Sequence, residues 1–315
     1  MDFTLKSYKT LLNALQVHGF SFRTFQESLK NSKHKSIIFR HDIDRLPENS
    51  ITTARLEHSL GICGTYYFRT VPQSFNPEII KEIASLGHEI GYHYEDLSFS
   101  WAKLKAKGKG QRAKGSKKYG VGSKEYEEFE KQLVNIAIES FKENLDKLRQ
   151  IIPVKTICMH GSPMSSWDSR LLWKYYDYKD FGIVGEPYFD VNMEEMLYLT
   201  DTGRRWNGGG VSVRDKTQDT RHKAQGKDPF EEWVRKPVPG SLMNMTEKAF
   251  QFQSRYNFRS TNDIIRAAKR GELPDKMMMT FHPQRWTDKQ LPWVKELVWQ
   301  NVKNVGKYFL IKIKK

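Results

Sequence analysis

The sequence is poor in cysteine and has no long uninterrupted apolar run. Only two cysteines occur among its 315 residues, Cys63 and Cys158, so disulfide bonds do not organise the fold. The stretch from Met1 to Leu15 lacks the basic, apolar and small-residue order of a secretory signal peptide. No segment reaches the length of an apolar membrane-spanning helix. These absences predict a cytoplasmic globular protein.

Acidic residues are also few relative to basic ones. The chain has 52 Lys and Arg against 37 Asp and Glu, which gives a formal net charge of +15. Such a charge favours anionic partners, including nucleotides, lipid pyrophosphates, membrane headgroups and nucleic acid. Part of it is concentrated between Trp101 and Lys118, where Lys and Arg occur without any acid. A solvated loop explains this segment, and so does a loop that folds over an anionic substrate.

Short apolar runs that end in polar residues alternate with helical patterns along the chain. This alternation predicts an α/β protein built from parallel βαβ units. We expect one catalytic domain over residues 1–315, with a basic loop insertion at about 101–123 and an irregular insertion at about 201–258. The predicted strands are 36–44, 64–70, 88–93, 154–159, 196–200, 277–281 and 308–313. The predicted helices are 5–15, 47–61, 76–87, 124–150, 169–176, 260–271 and 288–302.

Two carboxylates, Asp42 and Asp44, follow each other at alternate positions near the end of the first long strand. Alternate residues of a strand face the same side, and two such carboxylates repel unless a cation or a proton lies between them. A metal ion would explain the pair, with one carboxylate binding it and the other free to act as a base. Ordinary capping acids at a strand end are the alternative.

Three histidines end other predicted strands: His93, His160 and His282. One histidine at a strand end is more often a hydrogen-bonded structural residue than a metal ligand. In parallel α/β folds, however, active sites assemble beyond the carboxyl ends of the strands. Three histidines at such ends, together with an Asp pair, therefore predict a metal-dependent site.

At these residues the sequence resembles the polysaccharide deacetylases of the NodB-homology, carbohydrate esterase type. RHDID at 40–44 and GHEIGYHYEDL at 87–97 resemble the first two motifs of that family, and His282-Pro283 resembles a later one. The resemblance implies a distorted (β/α) barrel. It also implies that Asp42 is the general base, that Asp44 and His93 bind the metal, and that His282 is the general acid.

The chain departs from the family at Leu97, where the family has its second metal-binding histidine. We infer that His160 supplies this ligand from a neighbouring strand end, with Glu95 or Asp96 as alternatives. Three nitrogen and oxygen ligands plus water suit a divalent ion, with zinc favoured and cobalt or manganese as alternatives. A site that has lost its metal is the other interpretation.

A further group of residues follows the strand predicted at 196–200. Its Arg residues suit an anionic sugar phosphate or a base carboxylate, and its Trp residues suit stacking on a sugar ring. A turn with solvated charges explains the segment equally well. The residues expected to bind substrate are Arg40, Glu95, Asp201, Arg204, Trp206 and Trp286.

Together these features predict a metal-dependent hydrolase that removes an N-acyl group from an amino sugar. The expected substrate is a nucleotide-linked or lipid-linked precursor of a surface polysaccharide, with peripheral contact to an anionic membrane and no specific nucleic acid. Two other functions remain open. One is a catalytically inactive, glycan-binding member of the same fold, which Leu97 favours. The other is a nucleic-acid-binding protein, which the charge favours although no recognition motif is present.

Overall fold

A parallel β-sheet forms the centre of the molecule in the computed structural model, which describes residues 1–30, 35–106, 124–161, 167–206 and 247–313. Six of the seven described strands follow the order β5-β4-β3-β2-β7-β6, and β1 pairs with the first half of β2. The sheet curls into a half-barrel. The predicted α/β class is therefore confirmed. The strands are β1 Ser21–Arg23, β2 Ser36–Ile43, β3 Thr65–Phe68, β4 Glu89–Tyr94, β5 Ile157–Met159, β6 Leu197–Thr200 and β7 Lys276–Phe281.

Helices connect the strands and begin at the signals expected from the sequence. Asn76 caps its helix by accepting from the main-chain N–H groups of Glu78 and Ile79, and Ser260 with Asp263 forms a capping box. The helices are α1 Leu5–Val17, α2 Phe25–Ser28, α3 Pro47–Ser59, α4 Pro77–Ser85, α5 Asp96–Ala106, α6 Lys124–Arg149, α7 Leu172–Tyr175, α8 Pro187–Asp190, α9 Glu247–Ser254, α10 Thr261–Arg270 and α11 Gln290–Ile313. Among the described residues, no helix has both the length and the hydrophobicity needed to cross a bilayer.

The central strands are buried on both faces, as their continuous apolar sequences require. Met277 and Met279 of β7 pack in a cluster with residues of α1 and α10. Met278, between them, packs with Ile38 and Tyr67 on the opposite face. The middle of β7 is therefore apolar on both faces of the sheet, and the polar residues of this strand lie towards its ends.

The secondary structure predicted for two segments needs correction. The predicted last strand at 308–313 is wrong, because α11 continues to Ile313. An apolar run of this length suits either state, and the helix satisfies its main-chain hydrogen bonds locally. In the predicted basic loop, residues 101–106 belong to α5, and residues 107–123 lie outside the described residues. Most of the predicted insertion at 201–258, residues 207–246, also lies outside them.

Position 91 in β4 has no space for a side chain larger than that of glycine. A Cβ atom at this position would lie 2.3 Å from Tyr67 Cε1 and 3.1 Å from the Thr156 carbonyl oxygen. We expect Gly91→Ala to lower the free energy of unfolding by about 1–3 kcal/mol, because the buried ring and strand must shift. Urea denaturation measures this change. Gly161→Ala is the control, since no described atom lies within 4 Å of its added Cβ; equal losses in both variants would contradict the steric argument.

Candidate metal centre

Six consecutive strands of the chain, β2 to β7, are each followed at once by a polar residue. Because the strands are parallel, these residues meet at one edge of the sheet, where sites form in parallel α/β folds. Two more polar residues, Asp42 and His93, lie within β2 and β4 and face the same edge. The residues that follow the six strands are Asp44, Arg69, Glu95, His160, Asp201 and His282.

Three of these side chains, from three different strand ends, bring possible ligand atoms close together. Asp44 Oδ1 is 3.3 Å from His160 Nδ1 and 3.8 Å from His93 Nε2. His160 Nδ1 is 3.1 Å from His93 Nε2. This is the ligand set inferred from the sequence, including His160 in place of a residue at position 97.

The spacing of the three atoms fits a small divalent cation. Two ligand atoms about 2.0–2.1 Å from a tetrahedral zinc ion stand roughly 3.3–3.4 Å apart, close to the separations found between Asp44, His93 and His160. In addition, Asp44 Oδ1 is buried and has no well-formed hydrogen bond among the described residues. A buried carboxylate oxygen without a well-formed hydrogen bond is costly, and a bound cation would lower that cost.

Hydrogen bonding and burial prepare His93 to act as a ligand. Its Nδ1 lies 2.9 Å from the Cys158 carbonyl oxygen, so the ring proton is on Nδ1 and the Nε2 lone pair faces Asp44 and His160. Burial lowers the pKa of His93 to about 3. The imidazole is therefore neutral near pH 7, as metal binding requires.

A second grouping of Asp42, His93 and Cys158 also has ligand atoms near one another, but it is less suitable. Both Asp42 oxygens accept hydrogen bonds from Arg40, at 2.7 and 2.6 Å. Burial raises the pKa of the Cys158 thiol well above its usual value, and metal binding needs the thiolate. The favoured ligands are therefore Asp44, His93 and His160.

Asp42 is held beside these ligands as an ionised carboxylate. Burial raises its pKa, but the paired Arg40 guanidinium outweighs burial and the net pKa is lowered. Asp42 Oδ2 lies 3.8 Å from His93 Nε2. The sequence assigned Arg40 to substrate binding, which stays a prediction; in the structure its side chain is buried and its guanidinium is paired with Asp42.

On another side of the ligand cluster, Asp201 holds His282 in one orientation. His282 donates from Nδ1 to Asp201 Oδ1 at 2.5 Å and from its main-chain nitrogen to Oδ2 at 2.9 Å. Its Nε2 then faces the cluster, 3.9 Å from Asp44 Oδ2. Arg285 and Trp286 also donate to Asp201. Burial raises the pKa of Asp201, but the charges of Arg285 and His282 outweigh burial and lower it.

Four residues that the sequence assigned to substrate binding, Asp201, Arg204, Trp206 and Trp286, are buried among protein contacts, and their assignment stays a prediction. Asp201 itself has no exposed surface, and Trp206 and Trp286 are 4% and 1% exposed. Trp206 donates to Thr261, and the buried Arg204 guanidinium packs over the Trp293 ring. Large aromatic rings gain most from burial, and a sequence pattern does not distinguish a buried ring from one that stacks on a ligand.

Asp96 and Glu95, the alternatives for the third metal ligand, lie in different surroundings. Asp96 is fully buried and accepts from Tyr92, Ser140 and Asn144, so it belongs to the packing between α5 and α6 and not to the site. Glu95 is also buried, and its Oε2 lies 3.9 Å from His160 Nε2. Its assignment to substrate binding stays a prediction.

Sequence reasoning missed three residues of the site. Arg69 donates to the Glu95 carboxylate and to the Asp44 carbonyl oxygen, Gln284 donates to Asp44 Oδ2 at 3.2 Å, and Arg285 pairs with Asp201. Arg69 lay inside the strand predicted at 64–70 and gave no signal, whereas Gln284 and Arg285 are close to His282 along the chain.

Comparisons with protein-family models, curated proteins and solved structures found no significant match for this chain.

Removing any of the three ligands should remove the metal. We expect Asp44→Ala, His93→Ala and His160→Ala each to lower the bound metal per chain strongly, whereas Asp42→Asn retains it because Asp42 is committed to Arg40. Elemental analysis of the purified variants measures this, with His58→Ala on the surface of α3 as the control. Full occupancy in His160→Ala would exclude that residue as the third ligand.

Metal affinity should also depend on pH through His160. Burial lowers the pKa of this imidazole, but its contact with Asp44, together with the charge of Glu95, outweighs burial, and the net pKa is raised. A metal ion must displace that proton, so affinity should weaken as the pH falls from about 8 to about 6. Competition with a chelator of known affinity measures the dependence. An affinity that is flat over this range would show that no such proton is displaced.

Proposed function

We propose that this chain is a metal-dependent hydrolase that removes an N-acyl group from an amino sugar. The observation that carries the proposal is the triad of Asp44, His93 and His160, whose atoms have metal-ligand spacing and include an unsatisfied carboxylate oxygen. Three protein ligands leave a coordination position open, which is typical of catalytic rather than structural zinc sites. A bound divalent cation would polarise a carbonyl and make water more acidic.

The residues around the triad suit amide hydrolysis in two ways. Asp42 is an ionised carboxylate next to His93, so it can take a proton from water as a general base. His282, oriented by Asp201, directs Nε2 towards Asp44 and can protonate the departing amine. Asp42 lies close to His93 and His282 lies close to Asp44, so the proposed base and the proposed acid each contact a different ligand.

The substrate class rests on the resemblance of the RHDID and GHEIGYHYEDL segments to polysaccharide deacetylases. The half-barrel sheet supports the distorted (β/α) barrel that this resemblance implies. The net charge of +15 supports a substrate with a phosphate or pyrophosphate group, such as a nucleotide-linked or lipid-linked sugar. We further propose a cytoplasmic enzyme that acts on precursors of a surface polysaccharide and contacts an anionic membrane peripherally.

The two other functions have less support. An inactive glycan-binding protein would have no need for an ionised Asp42 and an oriented His282 next to the triad. A nucleic-acid-binding protein would depend on the basic segment near 103–118, most of which lies outside the described residues. Binding to DNA or RNA that is sensitive to salt and lost on deletion of residues 103–118 would favour that function.

The direct test is release of acetate from uridine-diphosphate-linked N-acetylglucosamine, with a neutral N-acetylglucosamine oligosaccharide for comparison. We expect turnover that chelation abolishes and that zinc, cobalt or manganese restores. Asp42→Asn should retain its metal and lower turnover by on the order of 10²–10⁴-fold, because it loses the base. Thr52→Ala on α3 is the control variant. A metal-loaded wild type that releases no acyl group from either substrate would exclude the proposed reaction on these sugars.

A further inference from the structure

Each proposed ligand uses one atom toward the cluster and a second atom toward a contact outside it. His93 uses Nε2 and places Nδ1 against the Cys158 carbonyl oxygen. Asp44 uses Oδ1 and accepts from Gln284 at Oδ2. Metal-binding side chains are usually oriented by such outer contacts, so the second atom of His160 should have one as well.

His160 is turned the opposite way from His93. Its Nδ1 faces Asp44 and His93, which directs Nε2 to the far side of the ring. There it meets the Glu95 carboxylate, with Oε2 3.9 Å away. An imidazole that binds a metal through Nδ1 keeps its proton on Nε2, and a carboxylate is a strong acceptor for that proton.

Glu95 is itself fixed in place. It directly follows β4, its side chain is 8% exposed, and its Oε1 accepts from Arg69 Nε. The same guanidinium donates from Nη1 to the Asp44 carbonyl oxygen at 3.0 Å. Arg69 therefore connects the main chain of Asp44 to the Glu95 carboxylate, which faces His160.

We propose that Glu95 is a positioning residue that accepts the Nε2 proton of His160 and so directs the Nδ1 lone pair to the metal. The inference rests on the metal-dependent function proposed above. The separation of 3.9 Å is longer than a hydrogen bond, so a small rotation of the ring or a bridging water completes the contact. Glu95 is not itself a ligand, because its carboxylate lies on the side of the ring away from Asp44 and His93.

His160 needs this support more than His93 does. His93 lies within β4 and its side chain is 2% exposed, whereas the side chain of His160 is 17% exposed. His160 follows the last residue of a three-residue strand, and Gly161 comes next. A ligand at the start of a loop is held less rigidly than one within a strand, so an outer contact has more effect on its orientation.

The test is zinc affinity, measured without substrate by competition with a chelator. We expect Glu95→Ala to weaken zinc binding by about 10- to 100-fold, the usual cost of losing an outer carboxylate. Glu95→Gln keeps the shape of the side chain and one oxygen for Arg69, so a weaker affinity in this variant cannot come from lost packing. Glu82→Ala, which removes an exposed pair with Arg55, is the control and should bind zinc like the wild type.

A double variant tests whether Glu95 affects zinc affinity through His160. If Glu95 acts through His160, adding Glu95→Ala to His160→Ala should cause little further loss, because the imidazole to be oriented is already absent. A loss that adds in full would overturn the proposal and indicate that Glu95 acts on the metal directly. Wild-type affinity in both Glu95→Ala and Glu95→Gln would also overturn it.

The zinc-affinity test of Glu95 is independent of the test of amino-sugar hydrolysis. A wild-type chain that binds zinc but hydrolyses no amino sugar would refute the reaction and leave the role of Glu95 measurable. A wild-type chain that takes up no zinc would overturn the metal site and this inference together.

Discussion

Parallel alignment of the strands is the constraint on which the site depends. Every strand pair in the described sheet runs in the same direction, so the carboxyl ends of six strands reach one edge. A polar residue follows each of these strands, and residues far apart in the chain, such as Asp44 and His282, come within 4 Å. An antiparallel sheet would send alternate strand ends to opposite edges, and the same residues would be divided between them.

Charge compensation distinguishes the acids at this edge. Burying a carboxylate without a partner is costly, and Asp42 and Asp201 avoid that cost by pairing with Arg40 and Arg285. Asp44 differs, because one of its oxygens lacks a well-formed hydrogen bond among the described residues and two imidazole nitrogens lie close to it. Of these three acids, Asp44 is therefore the one whose surroundings leave an oxygen free for a cation, which is why we propose it as a ligand.

Much of the site could be predicted from residue types at strand ends. Asp42, Asp44, His93, His160 and His282 follow or end apolar runs, and a parallel sheet brings such residues together. Burial was not predictable in the same way. The Arg and Trp residues near Asp201 have compositions that suit a sugar-binding loop, yet they are covered by α1, α11 and the turn after β7. The strand predicted at 308–313 failed for a related reason, since its apolar run is compatible with either a helix or a strand.

The sequence by itself determined the α/β class, the order of the elements around the site and the identity of the polar residues at the strand ends. These follow from local patterns: apolar runs, capping residues and the spacing of the Asp pair. Only the tertiary structure decided which nitrogen of each histidine faces the cluster, which acid pairs with which arginine, and that Glu95 lies behind His160. These contacts join residues that are distant along the chain, and their geometry depends on how the whole sheet curls and packs.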